Sequence, residues 1–394
     1  MHYLDHNATS PLRPESLSAM THALTISGNP SSVHANGRAA RAIVEEARER
    51  VAALAGARAE QVIFTSGATE SNNLALFGAA EGSLADDSKS ETRRITRVFV
   101  STIEHNSVLV AAGRLAERFP WIRVATLPVT ANGVIDLEAL RVALREGKGR
   151  ALVAIMAANN ETGMVQPVAE ISQLAREAGA LLLVDAVPAA GKMLLDFSFC
   201  DYMTLSAHKL GGPQGVGALI VADGAPLVPQ LVGGGQQKGL RAGTENLSGI
   251  AGFGAAAHSL RDAEGERARL AHLTDHFELA LKRAIPEAIV FGEGFKRLCS
   301  TTCFAVPGVT AETALIGMDL DGVMMSSGST CSSGKVAVSH VLVAMGVDEA
   351  LASCALRASF GWSSTMNDVT AAVASLVKLR ERVRAHSSNG KEAA

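Results

Sequence analysis

From about residue 60 to 225, short apolar runs alternate with longer stretches in which apolar residues recur at helical spacing. The runs lie at 62–64, 98–100, 152–156, 181–184 and 217–221, and hardly a polar residue interrupts them. Runs so uniformly apolar leave no face for water, which predicts strands buried on both sides in a mostly parallel sheet. The helix-patterned stretches, such as 39–55 and 169–178, cover that sheet, so this half reads as α/β built from βαβ units. After Gly233, Gly234 and Gly235, an Ala/Leu/Arg pattern over about 247–284 predicts one long helix. That helix leads into a second region with strands near 299–306 and 322–326. The organisation expected is a large domain over 13–258, with a mostly parallel sheet between helices. A smaller α+β domain is expected from 1–12 and 259–394. The polar stretch 83–94 reads as an exposed loop and the tail 386–394 as disordered. No internal repeat is visible.

Length agrees with two domains, because 394 residues exceed the roughly 250 to 300 at which one core stops growing. With 47% hydrophobic and 19% charged residues, the chain can bury enough surface to fold over most of its length. The net charge of −3 is spread without a long run of one sign, which argues against a nucleic-acid partner or a polybasic membrane surface. The start has no basic region followed by an apolar stretch, and no apolar run approaches a bilayer span. Five scattered cysteines without a CxxC pair fit a reducing compartment. A cytoplasmic protein without structural disulfides is expected.

Five segments carry candidate chemistry. The run 181–184 ends in Asp185, placing a carboxylate at the carboxyl end of a buried strand, where open α/β sheets bind ligands. An unpaired charge there is costly and calls for a cationic partner. A second strand ends in Ser206, Ala207, His208 and Lys209 ahead of a glycine-rich turn, a setting that desolvates an amine and lowers its pKa toward the reactive form. Between the strand at 62–64 and a helical stretch lies Thr65-Ser66-Gly67-Ala68-Thr69-Glu70-Ser71-Asn72, a small-residue turn of the anion-binding kind without the lysine of a P-loop. His105 follows the strand at 98–100 and is placed to stack on a ring and move protons. No other His or Cys stands at a ligand spacing from it, so metal is not expected there. Finally, Cys331 lies among serines and glycines over 326–334, unlike the apolar setting of a structural cysteine.

Taken singly they say less: Asp185 reads as a helix-cap or loop aspartate, Lys209 as a surface lysine beside a turn and the cysteine segment as a Ser/Gly linker, while the small-residue turn alone is a weak signal. Taken together and in this order, the turn, the aspartate and the lysine make the phosphate, pyridinium and aldehyde contacts that pyridoxal phosphate (PLP) requires. The letters Gly252-Phe253-Gly254 suggest a dinucleotide fingerprint, but they stand inside a helical pattern and follow no strand.

These segments closely resemble the cysteine desulfurases of the aminotransferase class V family of fold-type I PLP enzymes, in the branch with a short, serine-flanked cysteine loop. The likeness spans nearly the whole chain, through segments 3–9, 28–32, 66–73, 104–105, 159–163, 184–186, 206–209, 241–246, 326–334 and 356–359. It implies that Lys209 joins the cofactor aldehyde, Asp185 pairs with the pyridinium nitrogen and His105 stacks on the ring. Asn160 is then near the cofactor's phenolic oxygen, and Ala68, Thr69, Ser206 and His208 hold the phosphate. Thr244 of a second subunit joins them, so a homodimer is implied. Arg357 grips the substrate carboxylate, helped by Asn29. L-Cysteine would yield alanine, its sulfur passing to Cys331 as a persulfide and then to an acceptor such as an iron–sulfur scaffold protein. A selenocysteine lyase, an aminotransferase or an epimerase on the same scaffold is the alternative, and Cys331 speaks against the last two.

One departure from the family pattern matters. Three residues after Asp185, where glutamine is usual, stands Pro188, which has no side-chain donor. Thr330 in place of the usual alanine, and Trp362, are smaller departures.

Overall fold

The computed structural model describes residues 1–84, 93–328 and 338–392, with side chains to 385. Most of the loop expected at 83–94 therefore lies outside the described residues. Ser83 itself is buried rather than exposed, because its Oγ closes the preceding helix on Ala80 O (2.7 Å) and accepts from Ile95 N–H (3.1 Å).

The large sheet has seven strands in the spatial order Val62–Thr65, Gly217–Val221, Tyr202–Ser206, Leu181–Asp185, Arg150–Met156, Ile95–Ser101 and Arg123–Leu127. Gly217–Val221 runs antiparallel to both neighbours, and the remaining pairs are parallel. Alternation along a strand sends Leu182 and Val184 to one apolar layer, with Val44, Val51 and Phe253, and Leu181 and Leu183 to the other, with Leu74, Leu76 and Leu115. Both faces are thus covered. This two-sided burial is what the unbroken apolar runs encode.

The segment expected as one helix over 247–284 is two, Leu247–Ser259 and Glu264–Ala284. A single rod of that length would reach about 57 Å at 1.5 Å per residue, too long to serve two separate cores. The first helix packs on the large-sheet layer through Phe253. Leu270, Phe277 and Leu281 of the second join another apolar cluster with Leu4, Phe304, Leu356 and Phe360.

That second cluster lies against a four-stranded antiparallel sheet ordered Ser326–Ser327, Ala355–Ser359, Thr301–Ala305 and Ile289–Val290. The chain's first strand, His2–Tyr3, pairs in parallel with Val323–Met324, and Asp5 bridges to Ser359. This threading delivers residues 5–9 to the gap between the two sheets. The last helix, Met366–Glu392, continues through most of the segment read from sequence as a disordered tail. Continuing an existing helix costs far less than starting one. Side chains from 386 onward, and residues 393–394, lie outside the described residues. Among the described residues, no helix is long and apolar enough to cross a membrane.

Candidate active site

Beyond the carboxyl ends of the central strands lies a cleft of about 700 Å³ whose walls bring together Thr69, His105, Asp185, Lys209, Ser327 and Arg357. Strand register explains the convergence. Asp185 stands level with Met156 on one side and Thr204 on the other, so the residues just after each strand share one rim.

Asp185 is 4% exposed. Its Oδ2 accepts from Asn72 Nδ2 (3.0 Å) and its Oδ1 from Val187 N–H (3.0 Å). Among the described residues it has no ion pair, so the cationic partner expected from sequence is not supplied by a side chain. A carboxylate held only by neutral donors at the edge of a cleft suits a protonated ring nitrogen.

Asn72 extends the network. Its second N–H donates to Ser107 Oγ (2.9 Å), which also lies 2.8 Å from His105 Nδ1. The Ser107 backbone N–H donates to the same Nδ1 (3.0 Å). A backbone amide can only donate, so Nδ1 is the unprotonated nitrogen and the neutral ring carries its hydrogen on Nε2. Burial lowers the His105 pKa, against the pull of Asp185, so the neutral ring prevails.

Lys209 donates from Nζ to Asn7 O (2.6 Å) and Ala8 O (2.8 Å). Burial, reinforced by the positive charge of Arg357, lowers its pKa to about 8. Burial likewise brings His208 to about 4, aided by Lys209, so that imidazole is neutral and lies 3.2 Å from Thr9 Oγ1 through Nδ1.

Opposite these residues, Gly67 caps the helix Ala68–Gly82, whose first intrahelical bond runs from Ser71 N to Gly67 O. The amides of Ala68 and Thr69 precede it and have no acceptor one turn back, which leaves them for an anion. Glu70 takes the Ser66 N–H (2.8 Å) and is tied to Arg241 through Nε (2.8 Å), fixing the turn from outside. The turn presses on the sheet so closely that a Cβ on Gly217 would meet Gly67 Cα at 2.7 Å. Ser206 and His208 line the same end of the cleft. Unpaired amides at a helix start, a buried carboxylate and a desolvated amine in one cleft form a donor set that fits PLP.

Other expectations fare differently. Asn160 and Pro188 line the cleft. Arg357 is buried but engaged: Nη2 donates to Asp5 Oδ1 (2.7 Å), Nη1 donates to Asn160 O (3.1 Å), and the buried Nε has no partner. Asn29 is exposed, with its Oδ1 accepting from Ser31 N–H (2.8 Å) inside its own turn, and it is absent from the cleft wall. Thr244 is exposed and lines a separate cavity of about 120 Å³ behind the phosphate turn. Cys331 lies outside the described residues, while Ser326, Ser327 and Gly328 before it line the cleft.

The sequence assigns no role to Asn72, Ser107, Asn7 or Lys192. Asn7 and Asn72 stand within the quoted segments 3–9 and 66–73, and that position is the signal that could have found them. An HxxxH spacing does occur at His272 and His276, whose rings lie 4.0 Å apart on the helix Glu264–Ala284, but no third ligand joins them among the described residues.

The sequence pattern of the aminotransferase class-V family matches residues 2–372. A cysteine desulfurase from Cereibacter sphaeroides is 41% identical over 394 residues, 99% of this chain and 98% of that protein. A NifS-like protein from Rickettsia africae has the same fold, with a TM-score of 0.85 and 31% identity over 97% of this chain and 99% of its own. The structure of SspA in complex with cysteine gives a TM-score of 0.79 and 29% identity over 93% and 100% of the two chains.

Proposed function

The chain belongs to the aminotransferase class-V family, and on that premise we propose that it is a cysteine desulfurase, which releases alanine from L-cysteine and passes the sulfur on through Cys331. The observation that carries this reading is the pairing in one cleft of a desolvated amine, Lys209, with a buried carboxylate, Asp185, beside the serine-rich segment that leads to the cysteine. Cysteine bound to SspA, which shares the fold, supports the choice of substrate.

PLP, held by Lys209, Asp185 and the turn at Ala68 and Thr69, supplies an electron sink for the substrate's α-carbon. The remaining work falls to side chains. With its pKa near 8, Lys209 has a substantial neutral fraction at physiological pH and serves as nucleophile and as base for the α-proton. His105 presents Nε2–H as a proton donor. Cys331 attacks as thiolate: a bond forms between its sulfur and that of the substrate, the substrate C–S bond breaks, and the electron pair stays on the β-carbon, which takes a proton, while the α-carbon regains the one that Lys209 removed, giving alanine. The sulfur remains as a persulfide on Cys331.

Covalent geometry supports this role. Cys331 is three residues from Gly328, so their Cα atoms stand no more than about 11 Å apart. An acceptor such as an iron–sulfur scaffold protein then collects the sulfur. The reading includes a homodimer in a cytoplasmic setting, with Thr244 of a second subunit completing the phosphate site.

Purified protein supplied with PLP and L-cysteine is expected to release alanine and, with a thiol reductant, an equal amount of sulfide. Amino-acid analysis showing no alanine would end the reading. A smaller effect is expected at Pro188, which lines the cleft without a donor. Pro188→Gln adds one hydrogen bond to a charged oxygen, worth about 1.5 to 3 kcal/mol at most. The pH midpoint of the yellow cofactor band then moves, by up to about two units. An unchanged titration refutes the idea.

A further inference from the structure

The grip on a substrate carboxylate is incomplete with Arg357 alone. Each terminal nitrogen of its guanidinium already donates one of its two N–H groups, to Asp5 and to Asn160 O, so the Asp5 carboxylate competes with a substrate carboxylate for it, and Asn29 is absent from the cleft wall. Besides Lys209, which is reserved for the cofactor in the proposed reading, one further lysine lines the cleft, Lys192. Its Nζ donates to the side-chain oxygen of Asn7, a neutral amide, and among the described residues no carboxylate pairs with it. None of its three N–H groups therefore has an anionic acceptor, and two have no side-chain or backbone acceptor among the described residues.

Lys192 is not isolated from the other cations. The Asn7 carboxamide that accepts from it donates through Nδ2 to Asn160 O (3.0 Å), the same carbonyl that takes Arg357 Nη1 (3.1 Å). The Asn7 backbone oxygen takes Lys209 Nζ (2.6 Å). Asn7 is itself anchored by its N–H on Ser359 Oγ (2.9 Å) and by Nδ2 on Thr301 Oγ1 (3.0 Å). One asparagine thus spaces three cations along one wall, and among the described residues only Asp5 pairs with any of them. Burial, Lys209 and Arg357 together lower the Lys192 pKa to about 7, opposed by Cys299, as expected of a cation set among cations. An anion placed among them would draw Lys192 back to its charged form.

We propose that Lys192 is a substrate-binding residue that, with Arg357, receives the α-carboxylate of the amino acid and so selects amino acids over simple amines. This inference rests on the desulfurase reading for the identity of the substrate.

The test compares Lys192→Gln, which keeps a polar tip without charge, and Lys192→Arg, which keeps the charge, with the unmodified holoenzyme. A lost charge-assisted hydrogen bond raises KM for L-cysteine about ten- to a hundredfold in Lys192→Gln, with kcat within about twofold. Lys192→Arg restores most of the lost affinity. Cysteamine, which has the amine and thiol but no carboxylate, perturbs the cofactor spectrum at the same concentration in all three proteins. An unchanged KM, or an equal loss toward cysteamine, overturns the proposal. A second measurement needs no variant and no turnover: L-alanine protects Lys192 of the unmodified protein from acetylation, read by peptide mass spectrometry, and ethylamine does not. Absence of that protection overturns the proposal as well. Failure to form alanine from L-cysteine would instead strike the desulfurase reading and leave the labelling result standing.

Discussion

Lys209→Ala gives a folded protein that stays colourless with PLP and turns over L-cysteine at least about a thousandfold more slowly. The rate loss combines two functions of one amine, covalent attachment to the cofactor and removal of the α-proton, the latter alone worth roughly 10² to 10⁴. Stability changes little. The variant loses two hydrogen bonds, to Asn7 O and Ala8 O, but it also no longer desolvates an amine, and the two effects oppose each other. Absorbance after incubation with PLP, alanine release and a thermal melt separate these outcomes. A variant that is yellow and active would remove Lys209 from the site.

The parts of this molecule that could be read from sequence are those whose signal is local. Strand Leu181–Asp185 is buried at every residue, so its composition announces it, and the charge at its end is conspicuous because what precedes it is apolar. Strand Arg123–Leu127 escaped because it is an edge strand with three exposed residues, and its ladder to Ile95–Ser101 leaves no apolar run in the sequence. The break between Leu247–Ser259 and Glu264–Ala284 escaped for another reason. Both halves have good helix composition, and only the need to serve two cores separates them.

The same distinction holds within the cleft. Asp185 and Lys209 stand at strand ends and could be named from their surroundings. The roles of Asn72, Asn7 and Lys192 could not, since an asparagine in a quoted segment or a lysine after a glycine does not announce what it touches. Their importance comes from tertiary distance: Asn72 joins Asp185 to Ser107, and Asn7 joins Lys209 to Lys192. Arg357 was legible as a cation but its pairing with Asp5, 352 residues away in the chain, was not.

Cys331→Ala separates the two halves of the proposed chemistry. The variant keeps Lys209, Asp185, His105 and the phosphate turn, so it binds PLP and is as yellow as the parent. It also continues to remove the α-proton of L-cysteine, which is measured as deuterium uptake from heavy water by mass spectrometry. What it lacks is the thiolate that takes the substrate sulfur. No other described cysteine can replace it: Cys200, Cys303 and Cys354 are buried, and burial raises the Cys299 thiol pKa despite the nearby charge of Lys192. Alanine release therefore falls to background, on the order of a thousandfold or more, while exchange at the α-carbon persists. Loss of both together would mean that the cysteine segment shapes the cleft rather than receiving sulfur. Alanine release at the parental rate would mean that the reaction has no use for this thiol, and the assignment to sulfur transfer would fail although Lys209 and Asp185 kept their roles.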